Sequence, residues 1–88
     1  MKPKTFHVEL LTPQKQVLAC QAVSVVLPVA DGMFGVLAKH AAFAAALGSG
    51  TLTITAPVGL SRYHVSMGAA HMRDNALVVL AENCRRAD

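Results

Sequence analysis

Asp31-Gly32-Met33-Phe34-Gly35-Val36-Leu37-Ala38-Lys39-His40-Ala41 decides how the rest of this chain is read. Asp-Gly suits a turn, because glycine accepts a positive φ without a side-chain clash. Met33 to Leu37 then reads as one short buried strand, and Lys39-His40 as its polar exit. The second glycine, Gly35, predicts a bulge or a close backbone approach. Nothing in the stretch has the form of a catalytic device.

The segments before it read as strands. Phe6, Val8 and Leu10 alternate with His7 and Glu9, the period-2 pattern of a half-buried strand. Thr12-Pro13-Gln14-Lys15 makes a turn, and Gln16 to Ala22 is expected to return as the second strand of a hairpin. Val23 to Pro28 is β-branched and nearly all apolar, as in a strand buried on both sides, with Pro28 as its end.

The segments after it follow suit, with one ambiguity. Propensity favours a helix for Ala41 to Leu47, yet the run is short and Gly48-Ser49-Gly50 stops it, which leaves helix and strand both open. Thr51-Leu52-Thr53-Ile54-Thr55 is the cleanest alternation in the chain, and Ala56-Pro57-Val58-Gly59 reads as a hairpin connection. The next strand, Leu60 to Ser66, is expected to place Tyr63, Val65 and Met67 on one face and Arg62, His64 and Ser66 on the other. Gly68 to Arg73 is a weaker strand, Asp74-Asn75 a turn, and Ala76 to Ala81 the last strand. The polar segment Glu82 to Asp88 is expected to fray or to begin a helix. Short strands divided by Gly, Pro, Asp and Asn turns imply an antiparallel sandwich or barrel.

The totals bound the function. At 88 residues this is one domain, and 53% hydrophobic against 15% charged is greasy for its size. Two readings stay open: an exposed apolar surface that meets a partner, or a core inflated by alanine. The net charge of +3 is dispersed along the chain, aromatics are 5% and there is no Trp, so a nucleic-acid surface is not expected. Cys20 and Cys84 form no C-x-x-C and read as buried, reduced thiols, which with no signal peptide or spanning segment suggests a cytosolic chain.

Chemistry-bearing constellations are sparse. The spacings of His7, His40, His64 and His71 do not fit a zinc site, with His64 and His71 across a hairpin the only conceivable pair. There is no nucleophile elbow, no phosphate loop and no local carboxylate pair. No catalytic residue, metal or cofactor is expected, and the residues alone describe a β-rich interaction module.

Phe6 to Pro13, Val25-Val26-Leu27-Pro28, Asp31 to Leu37, His40-Ala41, Ser66-Met67-Gly68 and Leu77 to Ala81 occur as an ordered set spanning nearly the whole chain. In that order and at those spacings the chain resembles the N-terminal β-sandwich domain of the epsilon subunit of F-type ATP synthases. The resemblance implies an all-β, ten-stranded antiparallel sandwich of two five-stranded sheets over residues 1–84, followed by a tail at 85–88. It favours a strand for much of Ala42 to Leu47. It also implies a non-catalytic rotor subunit of the central stalk, bound to the gamma subunit and the c-ring and coupling proton or sodium flow to ATP synthesis or hydrolysis. Such a subunit sits peripherally on the cytoplasmic face of the cell membrane, held there through the complex. Carried over by position, Asp31, Gly32 and Met33 become the c-ring-facing loop, and Lys39, His40, Ala41 and Ala42 the gamma contact. Phe34, Val36 and Leu37 are expected to hold these two ends apart by packing in the core.

Several positions depart from the family pattern. Ala42 stands where proline usually follows His-Ala, Gly68-Ala69-Ala70 where Gly-Gly and a bulky residue are usual, and Met33 where an acidic or polar residue is common. The family commonly adds a C-terminal helical hairpin that can inhibit ATP hydrolysis, whereas this sequence stops at Asp88 and is expected to lack that arm. Two other classes compete with the rotor subunit: a stand-alone β-barrel adaptor with no catalytic activity, and a small hydrolase built on an activated Cys or Ser.

Overall fold

The computed structural model describes residues 4–87. Eight strands follow one another: β1 (Phe6–Leu11), β2 (Gln16–Ala22), β3 (Ser24–Val29), β4 (Gly32–Leu37), β5 (Phe43–Leu47), β6 (Gly50–Ala56), β7 (Gly59–Arg73) and β8 (Ala76–Arg86). The fold is all-β, as expected, but among the described residues the strands number eight rather than ten. The pairing is also not wholly antiparallel, because β1 lies parallel to β8.

The strand count is lower in part because β7 runs unbroken where two short strands, Leu60 to Ser66 and Gly68 to Arg73, were expected; β8 likewise runs on past Ala81, the expected end of its strand. Both are creased midway. Ser66 pairs Asn83 and Gly68 pairs Ala81, so no residue is inserted, yet Met67 takes φ 56 and the inward face switches from Tyr63 and Val65 to Ala70 and Met72. On the other side of β7 the same level separates β5 from β6. Leu47 pairs Gly68 and Gly50 pairs Val65, with Gly48-Ser49 between them. One side of the crease holds β2, β1, the first part of β8, the second part of β7, and β5. The other holds β4, β3, β6, the first part of β7 and the end of β8.

The crease requires glycine at two places. A Cβ on Gly68 would overlap the Leu80 carbonyl oxygen and lie 2.9 Å from Ala81 Cα. One on Gly48 would lie 2.9 Å from the backbone of Val29. Gly35, in contrast, has nothing within 4 Å and pairs regularly with Val26, so the expected bulge or close approach is absent.

Inward side chains from both sides form one core, including Phe6, Leu10, Leu27, Leu52, Ile54, Met72 and Leu77. Burial of each large apolar side chain is worth about 1.5–3 kcal/mol against leaving it exposed, which makes this cluster the main favourable term. Four local expectations change. Met67 is 68% exposed rather than facing inward with Tyr63 and Val65, because its left-handed backbone turns it over. Pro28 lies inside β3 instead of ending it: β6 pairs with β3 at Ser24 to Val26 and β5 at Val29, so the missing N–H falls where neither neighbour asks for it. β3 is not buried on both sides, since Ser24 and Val26 are only partly covered. Glu82 to Arg86 continues β8 with Arg86 opposite Tyr63, neither frayed nor helical; Asp88 lies outside the described residues. The undecided run after His40 is strand β5, where pairing with β7 overrides alanine's helix preference.

The turns match their chemistry. Asp74 and Asn75 take φ 51 and 61, the left-handed pair of a two-residue hairpin, and Thr12 N–H donates to Lys15 O at 2.9 Å to close the first turn.

Candidate interaction surfaces

The two segments singled out as contacts lie at opposite ends of β4, a terminal strand of the sheet. At one end Ala30-Asp31 turns the chain and Gly32 opens β4 at φ 137, with Asp31 exposed and Met33 60% exposed. Phe34 and Val36 point inward. Leu37 does not: it is 62% exposed, so the expectation that it packs in the core fails on the strand's alternation.

The other end is tied down by hydrogen bonds. Ala38-Lys39 turns with Lys39 at φ 64, and the Lys39 backbone N–H donates to Asn75 Oδ1 at 2.7 Å. Asn75 Nδ2 donates to Thr5 O at 3.0 Å, and His7 N–H donates to Asn75 O at 3.1 Å. Asn75 thus joins three separate parts of the chain: the exit of β4, the entry to β1 and the β7–β8 turn.

His40 is half-buried rather than displayed. Its ring meets Phe34 at 5.6 Å and Phe43 at 5.2 Å, and the two phenyl rings meet at 5.0 Å, all edge to face. Nδ1 lies 2.8 Å from Ala41 O, and because a carbonyl only accepts, Nδ1 carries the hydrogen. Phe34 and Phe43 come from β4 and β5, which do not pair, so the trio closes the side of the core between those strands. Lys39, Ala41 and Ala42 are exposed.

The outward faces differ in character, and this contrast was not visible in the sequence. On the β5 side, Ala46 pairs Ala69 and Ala69 pairs Leu80, while Ala44 pairs His71 and His71 pairs Val78. Ala44, Ala46 and Ala69 are exposed and Leu80 is 46% exposed, which makes a shallow apolar surface next to Ala41 and Ala42. On the β4 side, successive rows place Gly35, Val26, Thr53 and Arg62 together, and Leu37, Ser24, Thr55 and Leu60. Thr51, His64 and Arg85 form the next row, with Thr51 Oγ1 and His64 Nδ1 3.4 Å apart.

An open groove of about 540 Å³ lies between the β1–β2 turn and the end of β8, with no β4 residue in its lining, and is lined in part by Lys15, Tyr63, Glu82 and Cys84. Arg86 sits over the Tyr63 ring at 5.5 Å. Burial pushes the Cys20 and Cys84 thiols up, and Lys15 draws Cys84 partly back. A raised thiol is a weak nucleophile near neutral pH, the reverse of what a cysteine hydrolase needs. His64 and His71 lie on opposite sides of Met67 and do not face each other, and among the described residues no three His, Cys, Asp or Glu side chains converge on a metal site. None of the helices that could span a membrane is present among the described residues.

Comparison with known proteins matches residues 5–87 to the family described as ATP synthase, Delta/Epsilon chain, beta-sandwich domain. The ATP synthase epsilon chain of Nitratidesulfovibrio vulgaris (strain DP4) is 41% identical over 85 residues, covering 97% of this chain and 63% of the relative. That of Desulforamulus reducens is 36% identical, covering 97% and 64%. The chain therefore spans a little under two thirds of the length of these relatives. In fold it is similar to a chain of the Euglena gracilis mitochondrial ATP synthase, with TM-score 0.88 and 21% identity over 98% of this chain and 56% of that one. A chain of the Tetrahymena thermophila mitochondrial ATP synthase central stalk and c-ring gives TM-score 0.78 at 18% identity, over 97% and 69%.

Proposed function

Because the chain belongs to the ATP synthase delta/epsilon chain β-sandwich family, we propose that it is the β-sandwich of a non-catalytic epsilon subunit in the rotor of an F-type ATP synthase. In this reading it binds gamma and the c-ring, turns with them, and takes part in coupling proton or sodium flow to ATP synthesis or hydrolysis. It lies peripherally at the cytoplasmic face of the cell membrane, held there by its partners.

The observation that carries the reading is the disposition of β4. Asp31, Gly32 and Met33 form an exposed tip at one end, the proposed c-ring contact, and Lys39, His40, Ala41 and Ala42 lie at the other, the proposed gamma contact. A strand of this length sets them roughly 20 Å apart. The Ala44, Ala46 and Ala69 surface continues the gamma side, where small side chains let a partner approach the sheet closely. His40 then acts by shaping the Phe34–Phe43 closure rather than by presenting a free imidazole.

Two experiments test it. The tagged chain, expressed in its own cell, should recover gamma under mild salt. With Cys20 and Cys84 replaced by Ser, Met33→Cys should cross-link to the c-ring in the assembled complex. Recovery of no gamma-like chain sinks the rotor reading, and cross-links from residue 33 to gamma or stator chains alone remove the assignment of the tip.

A further inference from the structure

We propose that β4 is a self-complementary edge through which two copies of this chain pair, antiparallel about a twofold axis passing by Gly35. β4 pairs with β3 alone among the described strands, so alternate backbone N–H and C=O groups along its other side lack a ladder partner. Natural sheets guard such edges with an inward charge, a lysine, a proline or a bulge within the strand. Gly32-Met33-Phe34-Gly35-Val36-Leu37 contains none of these, and its pairing with β3 is regular throughout.

The side chains select both the partner and the register. Met33 and Leu37 project from the same outward face, 60% and 62% exposed, two residues either side of Gly35. Asp31 and Lys39, both exposed, flank the strand four residues either side of the same glycine. An antiparallel copy centred on Gly35 sets Met33 against Leu37 and Asp31 beside Lys39, and the twofold axis makes each contact twice. Gly35 meets its own copy at the axis, where the absence of side chains lets the strands close up. Sliding the register by two residues opposes Met33 to Gly35 and Asp31 to Leu37, losing the apolar and the charged matches together. A strand of unrelated sequence would not carry the reversed charge order, so the occupant that fits is a second copy of this chain.

Such pairing covers Asp31 to Met33 and crowds Lys39 and His40. If those segments meet the c-ring and gamma, self-pairing and assembly exclude each other, a consequence that rests on the rotor reading while the pairing itself does not.

The test uses the chain alone, with no gamma and no c-ring, so its failure and that of the rotor reading are distinguishable. Sedimentation of the Cys20→Ser/Cys84→Ser chain over a wide concentration range should show a monomer–dimer equilibrium. Asp31→Lys turns both charge matches into repulsions and should weaken it about tenfold. Asp31→Lys with Lys39→Asp reverses the order of charges and should restore it to within about threefold. In the same background Gly35→Cys, whose Cβ has open space, should give a disulfide-linked dimer on mild oxidation. Circular dichroism confirms that each variant is folded. A chain that remains monomeric at millimolar concentration overturns the proposal, as does a dimer indifferent to Asp31→Lys.

Discussion

Gly68→Ala is the sharpest test of the crease. The added Cβ would overlap the Leu80 carbonyl oxygen and come 2.9 Å from Ala81 Cα, and both are backbone atoms that no rotamer change moves aside. β7 and β8 must therefore separate at the Gly68–Ala81 pair. Overpacking of a tight site costs about 1–3 kcal/mol, and weakening the ladder bonds at the pair adds about 1 kcal/mol each. With two such bonds the sum is about 3–5 kcal/mol. A domain of this size has about 4–13 kcal/mol in total, so the variant loses a large share and melts roughly 15–30 °C lower. Gly35→Ala is the internal control. It lies in a strand at ordinary φ with nothing within 4 Å, and removing a glycine's unfolded-state freedom should leave it neutral or up to about 1 kcal/mol more stable. Urea unfolding followed by circular dichroism, at low concentration, reads both. A Gly68→Ala chain within 1 kcal/mol of the parent would falsify the claim that close backbone approach fixes glycine there.

Three further perturbations probe other parts of the structure. Asn75→Ala removes the acceptor for Lys39 N–H and the donor to Thr5 O, and loses the polar side chain that lets asparagine tolerate φ 61; it should cost about 2–4 kcal/mol, whereas Asn75→Gly, which also relieves the Cβ strain, should cost only about 1–2 in urea unfolding. Equal losses for the two would mean that backbone strain contributes nothing. Phe43→Ala should cost about 2 kcal/mol and His40→Ala about 1, with a coupling of about 0.5–1.5 kcal/mol in a double-mutant cycle; strict additivity would show that the ring contacts carry no energy of their own. Burial raises both thiols, so the reactive thiolate is scarcer than in free cysteine, and alkylation of Cys20 and Cys84 at pH 8 should run several-fold slower than that of glutathione. Rates equal to glutathione's would contradict the raised values.

What the sequence disclosed followed from local periodicity. Phe6, Val8 and Leu10 announce β1, Leu52 and Ile54 announce β6, and Asp74-Asn75 announces a hairpin, because each signal lies within a few residues of chain. The crease was hidden because it inserts no residue. Register is continuous through it, and only the left-handed φ of Met67 reverses which side chains face inward. Pro28 misled for a related reason, since whether a missing N–H matters depends on which neighbour stands beside it. The exposed alanines of β5 were unassignable while helix and strand remained open. The ends of β4 stood out only through family resemblance, and the meeting of Phe34, His40 and Phe43 is tertiary, a contact between strands β4 and β5 that do not pair.

These features bear on the same mechanical question. An extended strand resists stretching along its axis but bends easily unless held from the side. β4 is held on one side by its ladder with β3 and from beneath by the rings of His40 and Phe43 against Phe34. Its exit is pinned through Lys39 to Asn75, and hence to the start of β1 and the β7–β8 turn. Moving one end of β4 relative to the other would mean breaking ladder bonds or opening the aromatic closure, each at a cost well above thermal energy. The crease extends that restraint to the whole body, because β7 and β8 pass through both halves and neither can slide over the other without parting those two strands. A load applied at the Asp31–Met33 tip therefore reaches the Lys39–Ala42 end as displacement of a single body rather than as bending within it. On the proposed contacts, stability and partner binding should separate: substitutions at Gly68, in the crease, lower the melting temperature while the folded fraction binds normally, and substitutions at the exposed ends of β4 do the reverse.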